Sequence, residues 1–475
     1  MVLGPRRVGK TTVLYQTIRH LLAQGIDPQR IWWLRMDHPF LMPADLGSLV
    51  RAVLHVGGAA AERPVYLMLD EIVYAERWDL WLKTFYDEKW PVRIAATSSA
   101  TAALRDRRAE SGVGRWEEQY LTPYSFREFL ALIDMSEEMA LGSVLGETLR
   151  SLPEGMPPNP NLDSAIWAFM LVGGFPELLA RLNHELLRAV GSGGVASQRD
   201  SPQGRTREDG SSNVEEGQVL ENLLLTSQQT LRNDAVERAI YKDIPQSFNV
   251  NDPLMLERLL YVLAGRVAGL LSPSGICGDL GISPPTFSRY LSYLERAFLV
   301  FTLPNYSGTE AAVQRRGRKL YFVDGAVRNA ALQRGIGPID DPVERGLLLE
   351  NLAAASLRHL AQHSGVRLYH WREGRHEVDL VLDHPNDPLA FEIASSASHR
   401  RTGLEALAER HGRFRGRCYL VAPQAAVAHP LGVATDADVA GHSARSEVGT
   451  LPLDMFLLAV GAQAQRALDQ RLGTA

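Results

Sequence analysis

Cysteine is almost missing from this 475-residue chain, where Cys277 and Cys418 stand alone with no CxxC pair and no Cys/His cluster. That excludes a zinc site of ordinary spacing, a dithiol redox centre and a disulfide scaffold, and it fits a reducing compartment. Long apolar runs are missing as well. No stretch approaches the roughly 18 residues of a membrane-spanning helix, and the first residues do not read as a signal peptide, so the chain is expected in the cytoplasm with no membrane partner. A positive balance is also lacking, since 50 Lys and Arg face 55 Asp and Glu for a net charge of −5. Such a chain does not coat nucleic acid through its overall field, and any contact of that kind must come from a local basic patch. Lysine is the scarce cation. Only Lys10, Lys83, Lys89, Lys242 and Lys319 occur, so a lysine kept within a motif suggests a site that needs a compact ammonium instead of a planar fork.

What is present is ample core material, with 45% hydrophobic residues and a length suited to about three domains. The organising stretch is Gly4-Pro5-Arg6-Arg7-Val8-Gly9-Lys10-Thr11-Thr12, a full match to GxxxxGK[ST]. In that pattern the glycines let backbone N–H groups wrap phosphates, the lysine reaches the β and γ oxygens and the hydroxyl faces Mg²⁺. All nine residues are candidate nucleotide-binding positions. The run Thr12 to Leu22 then supplies a helix whose positive end faces the phosphates. Met1-Val2-Leu3 leaves about half an ordinary strand before the loop, so either the first strand is stunted or the natural start lies upstream.

Ile31 to Met36 reads as a second strand, Ala44 to Val56 as a helix, and Val65-Tyr66-Leu67-Met68-Leu69-Asp70-Glu71 as a third strand. This alternation implies a parallel sheet. An apolar strand ending in paired acids is the Walker B pattern, in which Asp70 would hold Mg²⁺ with Thr11, and Glu71 would orient or deprotonate the attacking water. A helix from Trp78 to Glu88 leads to a fourth strand ending in Thr97-Ser98-Ser99. Ser98 or Ser99 is a candidate sensor of the terminal phosphate, with Ser98 grouped among the nucleotide-binding residues, although hydroxyls at strand ends equally serve as helix caps. Arg115 is a candidate charge-stabilising finger, acting within its own chain or toward a neighbouring one.

Taken with the loop, the Leu67–Glu71 strand end and Thr97–Ser99, three further stretches make a resemblance specific: Gly114 to Leu130, Gly173-Gly174-Phe175-Pro176-Glu177, and Val236 to Ile244. Lys319 to Asp324, Leu349 to Leu352 and Glu377 to Leu382 extend it. From Gly4 to about Pro423 the chain resembles a prokaryotic AAA-type ATPase family whose C-terminal domain of unknown function is similar to PD-(D/E)xK nucleases. The resemblance implies an α/β protein with an AAA-like P-loop sheet over 1–125 and a helical lid region over 126–247. A winged helix over 248–325, a nuclease-like domain over 326–425, and a tail with a closing helix over 426–475 would follow. ATP and Mg²⁺ are the implied cofactors.

Within the lid region, about 190–217 is rich in Gly, Ser, Arg, Glu and Gln with little to bury, and is expected to be disordered. Ser274 to Leu291 spells a helix, a turn at Gly281 and a second helix capped by Ser283. The strands Phe298 to Leu303 and Lys319 to Val323 would form a wing with Arg315, Arg316, Arg318 and Lys319 near its tip. Ser288, Arg289 and the three arginines are candidate contacts to duplex DNA; winged helices serve equally as packing modules between domains. In the nuclease-like part, Glu350, Asp379 and Glu392 could share a divalent metal. The resemblance expects a lysine two residues after the second acid, where this chain has Ala394, and the expectation is a non-cleaving remnant.

The sequence therefore points to a MgATP-hydrolysing switch coupled to its C-terminal half. An ATP-gated DNA-binding regulator is the alternative and an ATP-dependent nuclease the third reading. Duplex DNA or a protein is the expected partner, with the oligomeric state left open.

Overall fold

The computed structural model describes residues 1–99, 115–135, 139–152, 159–181, 222–248, 250, 252–310, 313, 317–394, 399–423 and 448–473. The segment expected to be disordered, about 190–217, lies outside them, as do Arg315 and Arg316. The chain divides into two compact units. The first comprises Met1–Pro123, Asn233–Leu259 and Ile282–Leu299, and the second Tyr124–Arg232, Leu260–Gly281 and Val300–Ala475.

In the first unit, β1 (Val2–Leu3), β2 (Ile31–Arg35), β3 (Val65–Asp70), β4 (Val92–Ser98) and β5 (Gln119–Tyr120) form one parallel sheet in the order β2-β3-β4-β1-β5. Helices α1 (Lys10–Ala23), α2 (Leu46–Val56) and α3 (Trp78–Asp87) pack on this sheet. Strand parity sorts the core into two faces. Leu67 and Leu69 of β3 pack with Leu46, Val50, Trp78 and Phe85 of α2 and α3, while Met68 packs with Leu14 and Leu21 of α1. A strand covered on both faces must be apolar throughout, which is why β3 shows no alternation. Asp45 caps α2 by accepting from the Ser48 amide at 2.8 Å. By contrast α1 begins at Gly9, which offers no side-chain cap, so its first N–H groups stay available to another acceptor.

The sheet order has one consequence for the site. Because β4 lies between β1 and β3, its last residues fall between the phosphate loop leaving β1 and the acids leaving β3. The two-residue β1 is short, as expected, and its parallel pairing with both β4 and β5 holds it.

The second unit is built on a mixed sheet of β8 (Arg367–Glu373), β9 (His376–Asp383), β10 (Leu389–Ile393), β11 (Cys418–Ala422) and β12 (Val448–Pro452), in the order β12-β11-β10-β9-β8. The pairs β8/β9 and β9/β10 are antiparallel, and the other two are parallel. One face carries α4 (Pro342–Ser364) and α5 (Leu453–Leu472), with Leu357, Leu380, Phe391 and Phe456 in a shared core. The other face packs Trp371, Val378 and Val381 against Leu404 and Leu407 of the helix Thr402–Arg410. A separate antiparallel pair, β6 (Val300–Pro304) and β7 (Arg318–Phe322), belongs to the same unit.

Two stretches depart from the expected division. Helices Phe126–Leu132 and Pro160–Val172, expected as part of a lid, place Phe126, Phe129 and Phe169 in the core formed by α4 and α5. Helix α5, expected as a closing helix over a core edge, lies deeper than an edge: Phe456, Leu457 and Leu458 are completely or nearly buried. In both cases the amphipathic pattern is plain in the sequence, and the face it covers is not.

Candidate functional site

The loop from Gly4 to Gly9 is shaped by constraints that only its residues meet. A Cβ on Gly4 would sit 2.1 Å from the carbonyl oxygen of Leu121, so the chain leaving β5 can approach only a glycine. Gly9 has φ +97, a left-handed backbone that suits glycine. Pro5 and Val8 are buried, whereas Thr12 is exposed on α1. Lys10 leads back under the loop: its buried ammonium donates to the carbonyls of Gly4 at 3.1 Å and Pro5 at 2.8 Å, and lies 3.9 Å from Glu71 Oε1. Burial pulls the Lys10 ammonium below its ordinary range, against the opposing pull of Glu71.

The acids at the end of β3 are held by hydroxyls. Asp70 accepts from Thr11 Oγ1 at 2.9 Å and from Thr97 Oγ1 at 2.6 Å. Thr97 Oγ1 in turn accepts from the Glu71 amide at 3.0 Å. Glu71 has φ 53 and ψ 54, a left-handed conformation costing a non-glycine residue of the order of 1 kcal/mol or more. Its carboxylate accepts from the Ser99 amide at 3.0 Å and from the Ser99 hydroxyl. Burial would raise its affinity for a proton, but Lys10, the Ser99 bonds and Arg6 outweigh burial and hold it below the usual carboxylate range.

Of the three hydroxyls closing β4, Thr97 and Ser99 therefore take the acids. Ser98 alternates to the other side and is fully buried, so the structure brings together Ser99, one of the two sensor candidates, and Thr97, which the sequence reading did not single out. Strand parity was the signal that could have separated them. Arg115 is brought elsewhere: its guanidinium pairs with Asp87 at 2.9 Å, at the C-terminal end of α3. It stands four residues ahead of β5, which runs parallel to β1. It is thus fed in at the end of the sheet opposite the phosphate loop, and the structure does not gather it with Lys10 and Glu71.

The loop's own arginines make contacts with no local sequence signal. Arg6 forms a two-point pair with Asp243, Nε to Oδ2 and Nη2 to Oδ1 at 2.5 Å each, and Arg7 reaches Asp234 at 2.6 Å.

Residues 1–130 match the AAA domain family. An AAA domain is a nucleotide-binding, ATPase-type domain, and the N-terminal sheet, glycine loop and paired acids agree with that match. The remainder of the chain matches two families named only as domains of unknown function, DUF8612 over 218–336 and DUF4143 over 345–429. Among curated relatives, "Uncharacterized protein MJ1637" of Methanocaldococcus jannaschii is 26% identical over 81% of this chain and 72% of its own length. "Uncharacterized protein MJ1544" of the same organism is 23% identical over 82% and 73%. An "Uncharacterized protein" of Haemophilus influenzae is 23% identical over 70% and 68%. The likeness thus runs across the AAA domain and well beyond it.

The AAA domain's loop fits the group its family implies. A glycine-lined backbone turn, an uncapped helix start and a buried ammonium suit phosphate oxygens. Thr11 and Asp70, already paired, are the donor types that would hold Mg²⁺.

A second cluster lies in the second unit. Glu350 of α4 and Asp379 of β9 meet at a lysine. Lys319 Nζ lies 2.7 Å from Glu350, 2.7 Å from Asp379 and 3.0 Å from Glu377. Tyr321 also donates to Glu350 at 2.7 Å. The placement of Lys319 corrects its expected position at a basic wing tip: along β7 Arg318 faces solvent, so Lys319 faces inward. Glu392 pairs with His399 at 2.9 Å. Burial, then Asp379, pushes the Glu350 carboxyl up to about 8, and burial pushes Glu392 up to about 7. Ala394 is fully buried beside Leu420 and Ala422. Among the described residues no group of three His, Cys, Asp or Glu side chains is arranged to hold a metal ion.

Of the candidate DNA contacts, Ser288 and Arg289 are exposed on the helix Pro284–Arg296, which buries Phe287, Tyr290 and Leu294 on its other side. Gly281, at φ +66, ends the preceding helix, and Ser283 caps the next by accepting from Thr286. Arg318 is exposed and donates to Thr302 at 3.4 Å. Among the described residues no helix is long and apolar enough to cross a membrane.

Proposed function

We propose that the N-terminal unit binds MgATP and hydrolyses it slowly, as a switch that changes how the rest of the chain meets a partner. One observation carries this reading: Lys10, Thr11, Asp70 and Glu71 converge at one end of a parallel sheet, with the acids hydrogen-bonded to Thr97 of β4 and to Ser99 just after it. Bound MgATP would supply the phosphoanhydride bond that is broken. Lys10 would neutralise the terminal phosphates, and Thr11 and Asp70 would hold the metal. Glu71, kept ionised by Lys10 and Arg6 and aimed by Ser99, would orient the attacking water and accept its proton. The decisive comparison is of wild type, Lys10→Ala and Glu71→Gln. Lys10→Ala should lose nucleotide binding, and Glu71→Gln should keep binding while hydrolysis falls about 10²–10⁴-fold. Normal turnover by Glu71→Gln would remove that residue from the mechanism.

A specific observation also favours a second reading, an ATP-gated nuclease. Lys319 brings to Glu350 and Asp379 the positive charge that Ala394 does not provide. Divalent-metal-dependent cutting of plasmid DNA that disappears in Asp379→Ala would support it, and no cutting under any metal would leave the cluster a structural ion-pair network. Duplex DNA as the switch's partner is tested by salt-sensitive binding that weakens when Arg315, Arg316 and Arg318 are changed to Ala.

A further inference from the structure

The two arginines of the phosphate loop are engaged by a single segment far along the sequence. Asn233–Ser247, within the first unit, presents Asp234 to Arg7 and Asp243 to Arg6. Tyr74, just after the β3 acids, joins the second pair, its hydroxyl 3.2 Å from Asp243 Oδ1 and 3.4 Å from Arg6 Nη2. Lys242 stacks on the same tyrosine ring at 5.2 Å. The Arg6 and Asp243 side chains are 16% and 6% exposed, so the pair is largely shielded from water.

Arg6 also belongs to the reacting end of the site. It directly follows Pro5, whose carbonyl accepts from the Lys10 ammonium at 2.8 Å, and its guanidinium reaches the hydroxyl of Tyr74, three residues after Glu71. A guanidinium bonded at two points to a carboxylate has part of its donor fork committed, and a phosphate is the other acceptor that such a fork fits. Arg7, held by Asp234, sits at φ 67, a left-handed backbone that an arginine rarely adopts. The segment itself is wound as π-helix over Arg232–Glu237 and again over Ala239–Asp243, a winding that is rare in proteins and concentrated at functional sites.

We propose that Asp243 and Asp234 compete with the nucleotide's terminal phosphates for Arg6 and Arg7, so that the segment Asn233–Ser247 reads the nucleotide state of the loop. This rests on the MgATP reading above and adds the element that responds. With the loop's arginines on its carboxylates, the segment is tethered. A γ-phosphate drawing Arg6 away leaves Asp243 without its cation, and the segment loosens. A diphosphate leaves Arg6 with Asp243. Arg6 is thereby a phosphate-binding cation within the chain's own loop, and Asp243 is a positioning residue acting through it.

The test is amide hydrogen exchange of peptides spanning 233–248 in the full chain, without nucleotide and at saturating MgADP and MgATP. Fluorescent-nucleotide titrations of wild type, Asp243→Asn and Arg6→Gln accompany it. Exchange in wild type is expected to rise at least several-fold with MgATP and to stay near the nucleotide-free rate with MgADP. Asp243→Asn should exchange fast in every state and bind MgATP about tenfold more tightly, because Arg6 is set free. Arg6→Gln should exchange fast and lose preference for ATP over ADP. Nucleotide binding with unchanged exchange at 233–248, or weaker MgATP binding by Asp243→Asn, overturns this inference alone. Failure of wild type to bind nucleotide overturns the reading beneath it as well.

Discussion

Replacing Lys319 with methionine removes one charge and little volume, and its consequence can be worked out from the cluster. The ammonium is 4% exposed and bridges Glu350, Glu377 and Asp379 at 2.7–3.0 Å. Without it, at least one further carboxyl must take up a proton to stay buried. Holding a carboxyl protonated at pH 8, against an ordinary value near 4, costs about 5 kcal/mol, and at pH 5 about 1 kcal/mol. That agrees with the roughly 3–5 kcal/mol lost when one partner of a buried ion pair is deleted. By scanning calorimetry, the transition of the second unit should fall by roughly 10 °C at pH 8 and by much less at pH 5. Adding Asp379→Asn to the variant should restore part of the loss. A loss under about 1 kcal/mol, or an equal loss at both pH values, would refute the buried bridging role.

Other outcomes follow from the same geometry. Because Glu350 and Glu392 are raised to about 8 and about 7, the folded state holds more protons than the unfolded chain above the ordinary carboxylate range. Stability should therefore fall as pH rises from the ordinary carboxylate range to about 8 and level off above it, and Glu350→Gln should flatten that part of a Tm profile. Gly4→Ala would drive a Cβ into the Leu121 carbonyl, and nucleotide titration should show binding lost or the first unit destabilised by about 1–3 kcal/mol. Ser99→Ala removes a hydroxyl from Glu71, so single-turnover hydrolysis should slow about 5- to 30-fold with nucleotide affinity kept. Ser98→Ala should leave the Glu71 bonds intact and hydrolysis near wild type.

Legibility in the sequence followed the range of each interaction. Gly4 to Thr12 and Leu67 to Glu71 carry their chemistry within a few residues, and the structure gathers Lys10, Thr11, Asp70 and Glu71 as their spelling implies. The choice among Thr97, Ser98 and Ser99 needed only strand parity. Arg115 fits a finger by residue type, while its place before a strand parallel to β1 puts it, within this chain, at the end of the sheet away from the phosphate loop. Asp234 and Asp243 lie more than 200 residues from their arginines, and nothing local marks such a pairing. Lys319 had a signal that went unused. The scarcity of lysine that singled out Lys10 applied to it equally, and alternation along β7 turns it away from Arg318.

Steady-state ATP hydrolysis by the full chain, beside Lys10→Ala and Glu71→Gln, tests the central claim most directly. Slow turnover that vanishes in both variants, with nucleotide binding lost only in Lys10→Ala, is the predicted result. Turnover that persists in Lys10→Ala, or wild-type protein that neither binds nor hydrolyses ATP, would contradict it.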